Sequence, residues 1–374
     1  MQDRILKKDK KLLLSFARKA SKIGSCLLLD TEALTPVNFE EEKEKFFKSK
    51  TYSPQYVYEK KDFKNTSKQI SSLIKQAEKF YIPRDLKKYL LEYANNLKAL
   101  LFVFETIGTK YFANAAEQLI DWDEDEIKNG HKLLPEMIYA EDGLDFQNAP
   151  SIKKLFAQTI EKYGIKNYPV VIDSFNGHII RDEPNKLIVG SKVKRTKNNV
   201  KRLIVHEVES HALQRYNLKL LDNQLLNLIT FKDEVLYSEG LAVHNEIRTK
   251  TITKNALNTY IARLTAVELK NESFRKIFNI LKKSIPDENA FITTYRLKRG
   301  LSNTQFPGGF TKDAAYLLGY GTVSSFLTSG GRIEDLYLFR VPCLCKLLTK
   351  YDLLESQDFK LPKFVSNPKH EPNI

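Results

Sequence analysis

The first third of the chain places its apolar residues at helical spacing. Residues 5–22 carry Leu and Phe on one face and Lys and Arg on the other, which predicts an amphipathic helix. Between 67 and 120, apolar residues recur every three or four positions, and Pro83 suits the first turn of a helix there. With loops expected around 31–66, this pattern predicts a mainly helical N-terminal region over residues 1–145.

The pattern changes in the middle of the chain. The acidic run 121–126 is expected to end the helical region and to lead into a linker that reaches about Pro150, before a helix over 151–163. The apolar run 168–173 indicates a buried strand. Two more short strands, with turn residues around them, are expected at 178–181 and 186–189. Three strands joined by tight turns favour a small antiparallel sheet.

The rest of the chain returns to helical spacing. From residue 198 onward the pattern is helical, apart from the Gly- and Pro-containing segment 300–309. We therefore expect an α+β protein that is mostly helical, with its small antiparallel sheet next to the helix that contains residues 203–211. A second domain is assigned to 146–360 and a C-terminal tail to 361–374.

The charge of the chain points to an acidic partner. Its 374 residues include 60 Lys and Arg against 46 Asp and Glu, a formal net charge of +14. This excess suits nucleic acid, an anionic membrane surface or an acidic polypeptide. With 42% hydrophobic residues, the composition is that of a globular protein and excludes disordered and collagen-like chains.

Cysteine use and hydropathy favour the cytoplasm. Three cysteines, Cys26, Cys343 and Cys345, are too few for a disulfide framework, which indicates a reducing compartment. No apolar run approaches the length of a transmembrane helix. The segment that ends at Cys26 resembles a lipid-anchor cleavage site, but basic residues interrupt the apolar stretch that a secretory signal needs, so we expect no signal there.

Two histidines flank a glutamate within one short segment. His206, Glu207 and His211 resemble the His-Glu-x-x-His zinc motif, in which two imidazoles one helical turn apart bind the metal and the glutamate acts as base. Here one extra residue separates the histidines. Positions i and i+4 are about 40° apart around an α-helix, whereas i and i+5 are about 140° apart. A π-type bulge would realign the pair; otherwise these are ordinary solvated or core histidines.

A third metal ligand is expected on a later helix. Glu239 precedes a Gly-Leu-Ala segment, whose small residues permit the close helix packing that would bring a carboxylate to the two histidines. His244 is the competing candidate and is more typical of a supporting or core histidine. Glu234 and Glu246 are expected to be surface charges.

Several ordered segments resemble one family. The His-Glu-x-x-x-His segment and the Glu-Gly-Leu-Ala segment, in this order, resemble the microtubule-associated tyrosine carboxypeptidases and their bacterial QEGLA-motif relatives. Further segments similar to this family lie at 296–301 and 307–319 and, in the N-terminal half, at 36–38, 46–58 and 106–112. The resemblance covers roughly residues 30 to 340.

The resemblance implies a zinc metallocarboxypeptidase that releases a C-terminal Tyr or Phe, with tubulin tails as the substrate of the characterised members. It places the Zn²⁺ ligands on His206, His211 and Glu239, and the general base that acts on a zinc-bound water on Glu207.

The chain departs from the family pattern at two positions. Glu209 stands where family members usually carry a small residue, and it could strain the bulge or add a carboxylate near the metal. Ser238 replaces the Gln before the Glu-Gly-Leu-Ala segment and is expected to matter less.

Other residues are candidates for catalysis and for substrate binding. Tyr316 is the candidate donor to the oxyanion, with Tyr320 and Tyr237 behind it, although each is more typical of a core tyrosine. A carboxypeptidase must bind a free C-terminal carboxylate, for which Arg is well suited. The basic group assigned to this task, unless it is only a solvated face, contains Arg296, Arg299 and Lys312, with Lys298 beside them.

Two other functions compete with this hypothesis. A zinc endo- or aminopeptidase could use the same site. A non-catalytic basic protein could bind acidic filaments or nucleic acid, helped by the basic run 192–197, but the chain lacks aromatic interleaving, a Gly-rich phosphate loop and zinc-finger cysteine spacing. We therefore expect the partner to be a protein or peptide C-terminal tail, acidic in character, rather than nucleic acid. The oligomeric state stays open.

Overall fold

The computed structural model describes residues 5, 7–29, 33–133, 139–174, 180–183, 185–221, 223–354 and 359–366. The start of the strand predicted at 178–181 and residues 367–374 of the predicted tail lie outside these ranges. In the N-terminal part, the helices are α1 (Lys7–Leu29), α2 (Phe39–Lys48), α3 (Lys64–Glu78), α4 (Arg84–Thr106), α5 (Phe112–Leu119) and α6 (Glu124–Lys132). They confirm the prediction of a mainly helical region.

Helix α1 is the amphipathic helix predicted at the start of the chain, and it docks on the rest of the protein. Leu13, Phe16 and Ala20 on its apolar face are fully buried, whereas Arg18 and Lys19 are exposed. Burial of about three such side chains stabilises the docked helix by several kcal/mol. The helix is therefore part of the main hydrophobic core.

Two predictions for the N-terminal part are wrong. The segment 31–66 contains α2, whose many charges mask a short apolar stripe around the fully buried Phe46. The acidic run 121–126 begins α6 instead of ending the helical region. Asp123 accepts from the backbone N–H of Glu126 at 2.6 Å, and the Glu126 carboxylate accepts from that of Asp123 at 2.9 Å. This capping box and the helix dipole both favour acidic residues at a helix start.

The strands form two small sheets. They are β1 (Phe146–Asn148), β2 (Val170–Asp173), β3 (Ile180–Glu183), β4 (Lys186–Gly190) and β5 (Lys194–Thr196). β1 pairs antiparallel with β5, and the other sheet has the order β2–β4–β3 with an antiparallel β3–β4 pair. β2 lies parallel to β4 because the chain first forms β3 and then returns between the two. The α+β class with a small antiparallel element is confirmed, and a parallel pair is added to it.

Helices dominate the rest of the chain, as predicted, and the segment 300–310 is irregular. The α-helices are α7 (Ala149–Lys162), α8 (Lys197–Leu203), α9 (Leu213–Leu221), α10 (Phe231–Arg248), α11 (Lys254–Glu268), α12 (Phe274–Leu281), α13 (Asp287–Lys298), α14 (Ala315–Thr328), α15 (Ile333–Phe339), α16 (Pro342–Lys350) and α17 (Lys363–Ser366). A π-helix spans Ile204–Ala212, and short 3-10 helices span Gln224–Asn227 and Thr311–Ala314.

Two hydrophobic cores meet at helices α10 and α14. One core joins α1–α6 to α11, α12, α13 and α16, and the other joins α7, the β2–β4–β3 sheet, the π-helix, α15 and α17. Helices α10 and α14 contribute buried side chains to both. They touch so closely that a Cβ on Gly240 would lie 2.3 Å from the carbonyl of Gly319. The close packing expected after Glu239 is confirmed, and it fixes α10 between the two cores.

Candidate metal centre

A π-helix carries both histidines. The residues Ile204–Ala212 form π-helical turns between α8 and α9, a longer stretch than a single bulge. Each backbone N–H in such a helix bonds to the carbonyl five residues earlier, so residues five apart share one face. The rings of His206 and His211 accordingly lie together, with centroids 4.9 Å apart. The predicted π-type realignment is confirmed.

Glu239 on α10 completes a cluster of three ligand atoms. Its Oε2 lies 3.5 Å from Nε2 of His206 and 3.7 Å from Nε2 of His211, and the three ligand atoms all lie within 4.8 Å of one another. Ligand atoms about 2.0–2.1 Å from a tetrahedral ion are themselves about 3.3 Å apart. Glu239 Oε2 is buried and makes no hydrogen bond with the described residues. The cluster therefore has the donor set and the spacing to hold a metal ion.

The outer nitrogen of each imidazole has its own partner. Nδ1 of His206 lies 2.7 Å from Oε1 of Glu246, and Nδ1 of His211 lies 3.0 Å from the hydroxyl of Ser238. Such partners orient metal-binding imidazoles and leave Nε2 for the ion. Glu246 is fully buried, so the expectation that it is a surface charge is wrong. Glu234 is also largely buried, in an ion pair with Arg340.

The charged groups of the cluster shift one another's pKa values. Burial disfavours the imidazolium form of His206, but the neighbouring carboxylates of Glu239 and Glu246 outweigh this cost and raise its pKa to about 10. Burial also disfavours the anion of Glu239, yet His206, His211 and Lys312 hold its pKa well below the ordinary value. The imidazolium of His206 and the carboxylate of Glu239 therefore stabilise each other, and a metal ion bound there would replace the proton on His206.

Glu207 and Tyr316 lie beside the cluster. Glu207 follows His206 in the π-helix, is 8% exposed and lies within electrostatic reach of that histidine. Tyr316 on α14 stacks near His206, with ring centroids 6.2 Å apart. Burial and the charge of Glu239 raise the pKa of Tyr316, so its hydroxyl is protonated at neutral pH. The candidate base and the first candidate oxyanion donor therefore both lie near His206.

Three arginines surround one carboxylate, Asp313. Arg296 donates to it from Nε and from Nη2, the latter at 2.7 Å, and Arg263 Nε lies 3.7 Å away. Arg299 places its guanidinium over the ring of Phe310 at 5.4 Å. Burial works against the Asp313 anion, but the three arginines hold its pKa well below the ordinary value. One carboxylate cannot neutralise three guanidinium groups, so the cluster retains excess positive charge.

The two lysines of the predicted basic group have different environments. Lys312 Nζ lies 3.5 Å from Oε1 of Glu239, directly at the candidate metal centre. Lys298 is fully buried, and its Nζ donates to three backbone carbonyls at 2.8, 2.8 and 3.0 Å. Lys298 therefore holds the 300–310 segment in place and is not available to a substrate.

The chain is similar to one known family over most of its length. Residues 44–365 match the family model of the microtubule-associated tyrosine carboxypeptidases. The chain belongs to this family. The match confirms the resemblance seen in the ordered motifs, although it begins later than residue 30. No curated protein matches the chain. Within the described ranges, none of the helices combines the length and apolar character that a membrane span requires.

The two departures from the carboxypeptidase family's pattern have structural explanations. Glu209 faces the end of α7, where the hydroxyl of Tyr163, the residue that follows the helix, donates to it at 2.6 Å, and burial raises the pKa of Glu209. The concern that it adds a carboxylate to the metal cluster is wrong. Ser238 occupies the position of the family's Gln and lies 3.0 Å from Nδ1 of His211. This contact with a candidate ligand was not predicted, and the expectation that the replacement matters less stays a prediction.

A buried polar network that the sequence did not indicate braces the π-helix. The hydroxyl of Ser210 donates to the carbonyl of Val205 at 2.9 Å, and the amide of Asn245 on α10 donates to Ser210 and to Tyr337 at 2.8 Å each. Tyr337 in turn donates to the carbonyl of Glu209 at 2.7 Å. Side-chain donors thus satisfy the backbone carbonyls of Val205 and Glu209 within the π-helix. An Asn within α10, where helix propensity disfavours it, was the available signal.

Three weaker candidates lie around the site. Tyr320 stacks on His244 with ring centroids 6.3 Å apart, and Tyr237 is a half-buried residue packed against both cores. Among the described residues, the group whose ligand atoms converge contains Glu239 and not His244.

Proposed function

We propose that the protein is a zinc-dependent metallocarboxypeptidase that releases a C-terminal aromatic residue, Tyr or Phe, from a protein or peptide tail. The observation that carries this proposal is the convergence of His206, His211 and Glu239 on one point from a π-helix and a neighbouring helix. Membership in the tyrosine carboxypeptidase family supports the reaction class.

Zinc fits the donor set best. Two imidazole nitrogens and one carboxylate oxygen, with a fourth position left open, are the usual ligands of catalytic zinc in peptidases. His206, His211 and Glu239 would hold the ion. When bound, zinc would act as a Lewis acid on the scissile carbonyl and make an attacking water more acidic.

Glu207 is the proposed general base. Its carboxylate accepts the proton of the attacking water and then delivers it to the amine that leaves. Tyr316 donates a hydrogen bond to the oxygen on which negative charge develops, a role that its raised pKa permits because the hydroxyl keeps its proton. Both residues flank His206, as the reaction requires.

The arginine cluster is the proposed site for the terminal carboxylate of the substrate. Arg296 already donates twice to Asp313, whereas Nε of Arg299 makes no hydrogen bond with the described residues and Lys312 is held only by its 3.5 Å ion pair with Glu239. Arg299 therefore has the most bonding capacity left for a second carboxylate. Arg296 and Arg263 add to the positive charge around them. Planar guanidinium groups in a largely desolvated setting bind carboxylates strongly and with defined geometry.

The proposed substrate is an acidic protein tail in the cytoplasm. The net charge of +14 attracts acidic segments over long distances, and all three cysteines are free thiols. The family is named for an association with microtubules, which are cytoplasmic polymers.

Peptide cleavage tests the proposal. A peptide that ends in tyrosine with a free carboxylate should release tyrosine, whereas the same peptide with a C-terminal amide should not. Equal cleavage of both would favour an endopeptidase and contradict the carboxypeptidase proposal.

Matched variants test the role of the base. Glu207→Gln should lower tyrosine release by on the order of a hundredfold or more. Glu209→Gln makes the same chemical change two residues away in the same π-helix, and its side chain still accepts from Tyr163, so its activity should stay close to that of the wild type. Tyrosine release that survives Glu207→Gln would rule out the proposed base.

A further inference from the structure

Glu246 occupies a central position behind the candidate metal centre. Its Oε1 accepts from three donors: Nδ1 of His206 at 2.7 Å, Nη1 of Arg202 at 2.7 Å and the hydroxyl of Tyr260 at 3.0 Å. Glu246 is fully buried and the Arg202 side chain is 11% exposed. A buried carboxylate is costly unless its charge and its hydrogen bonds are compensated. Here all three donors meet on the oxygen that faces the histidine.

The two histidines are held differently. A carboxylate can only accept, so Glu246 requires a proton on Nδ1 of His206 and leaves the lone pair on Nε2, the atom that faces Glu239. The Ser238 hydroxyl beside His211 can either donate or accept, so it does not impose a tautomer. The contact with Glu246, unlike the contact with Ser238, therefore determines which nitrogen of its histidine is free to bind an ion.

The contact also links the metal centre to the proposed oxyanion donor. Tyr260, which donates to Glu246, stacks face to face on Tyr316 with ring centroids 4.9 Å apart and an angle of 12° between the planes. Glu246 thus fixes His206 directly and supports Tyr316 through Tyr260.

We propose that Glu246 is a positioning residue that fixes the tautomer and orientation of His206 for the metal ion, with Arg202 as the charge that keeps it in place. This inference rests on the proposed zinc function. Partners of this kind typically change metal affinity by about 10- to 100-fold.

Zinc affinity of the full-length chain, measured by competition with a chromogenic chelator, tests the inference. Glu246→Gln keeps the shape of the side chain but removes its charge, and its amide can also donate to Nδ1, which permits the wrong tautomer. We expect this variant to bind zinc about 10- to 100-fold more weakly than the wild type. Glu234→Gln is the matched control, because Glu234 lies on the same helix as Glu246 and its carboxylate is likewise paired with an arginine, Arg340. Its zinc affinity should equal that of the wild type.

Two further measurements separate positioning from folding. Because Glu246→Gln leaves Arg202 without its anion, the double variant Arg202→Gln/Glu246→Gln restores charge balance and should still bind zinc weakly. In the zinc-loaded wild type, the Nδ1–H proton of His206 should resonate far downfield in NMR spectra, and it should move upfield in Glu246→Gln. A zinc-binding wild type with equal affinity in Glu246→Gln would overturn this inference alone. A wild type that binds no zinc would overturn both this inference and the proposed function.

Discussion

The contact between Gly240 and Gly319 sets the position of Glu239, and adding one methyl group there tests this. A Cβ at position 240 would lie 2.3 Å from both the carbonyl carbon and the oxygen of Gly319, and 2.8 Å from its Cα. All three are backbone atoms, so no side-chain rotation relieves the clash. Ordinary contact begins near 3.4 Å, so Gly240→Ala should separate α10 and α14 by about 1 Å.

The separation acts on stability and on the site together. Alanine gains about 1 kcal/mol over glycine in helix propensity, but overpacking a tight interface costs about 1–3 kcal/mol or more. With backbone atoms on both sides of the clash, we expect the high end of this range and a net loss of about 2 kcal/mol. Glu239 moves with α10 while Tyr316 moves with α14, and a displacement of about 1 Å at a reacting centre costs on the order of a hundredfold in rate.

Urea unfolding and the rate of tyrosine release measure the two effects. The matched control is Gly321→Ala on α14, where, among the described residues, the new Cβ would meet only the Leu133 side chain, whose nearest methyl group lies 2.7 Å away. This flexible group can move, so the control should keep wild-type activity and equal or higher stability. A Gly240→Ala protein with wild-type stability and activity would refute the claim that this contact fixes the ligand.

Three further outcomes are expected. Lys298→Met should lower the free energy of unfolding by about 2–4 kcal/mol in urea titrations, because it removes the buried donor of three backbone carbonyls; an unchanged midpoint would contradict this. Burial and the nearby Arg248 lower the pKa of His244 to about 4 from 6.5. The unfolded chain therefore takes up the proton first as the pH falls, and stability should drop by up to about 3 kcal/mol between pH 6.5 and pH 4. His244→Gln, which still packs on Tyr320, should flatten that part of the profile, and a retained slope would assign it to another group. Arg299→Gln should raise KM for free-acid peptides about tenfold with little change in kcat; a lower kcat at constant KM would remove Arg299 from substrate binding.

Much of the candidate metal centre could be predicted because it follows from local geometry. The angle between positions five apart on an α-helix already required a π-type distortion if His206 and His211 were to share an ion. The small residues after Glu239 indicated close helix packing. Both inferences follow from helix geometry: residue spacing sets the directions of the side chains, and small residues permit two helices to pack closely.

The residues that were misjudged depend on long-range compensation. Glu246 looks like a surface charge because an isolated carboxylate is costly to bury; only the packing of Arg202, Tyr260 and His206 around it makes burial favourable. Arg263 was not singled out in the sequence for a similar reason, since its partner Asp313 lies on another element.

The secondary-structure predictions were wrong where two local signals in the sequence competed. In α2 the density of charges concealed the stripe that contains Phe46, and tertiary packing of that ring decides the helix. At 121–126 the acidic residues indicated a linker by composition, although the spacing of Asp123 and Glu126 is that of a capping box. The parallel β2–β4 pair was missed because strand order is a property of the chain path and not of any one strand.

Release of tyrosine as a function of zinc added to the metal-depleted protein tests the central claim most directly. Protein stripped with a chelator should release no tyrosine from a tyrosine-ended peptide, and activity should return in proportion to added zinc up to one equivalent per chain. His211→Ala should not recover at that stoichiometry, because one of its three ligands is gone. Undiminished release after chelation, or recovery of His211→Ala at one equivalent, would contradict a zinc centre at His206, His211 and Glu239.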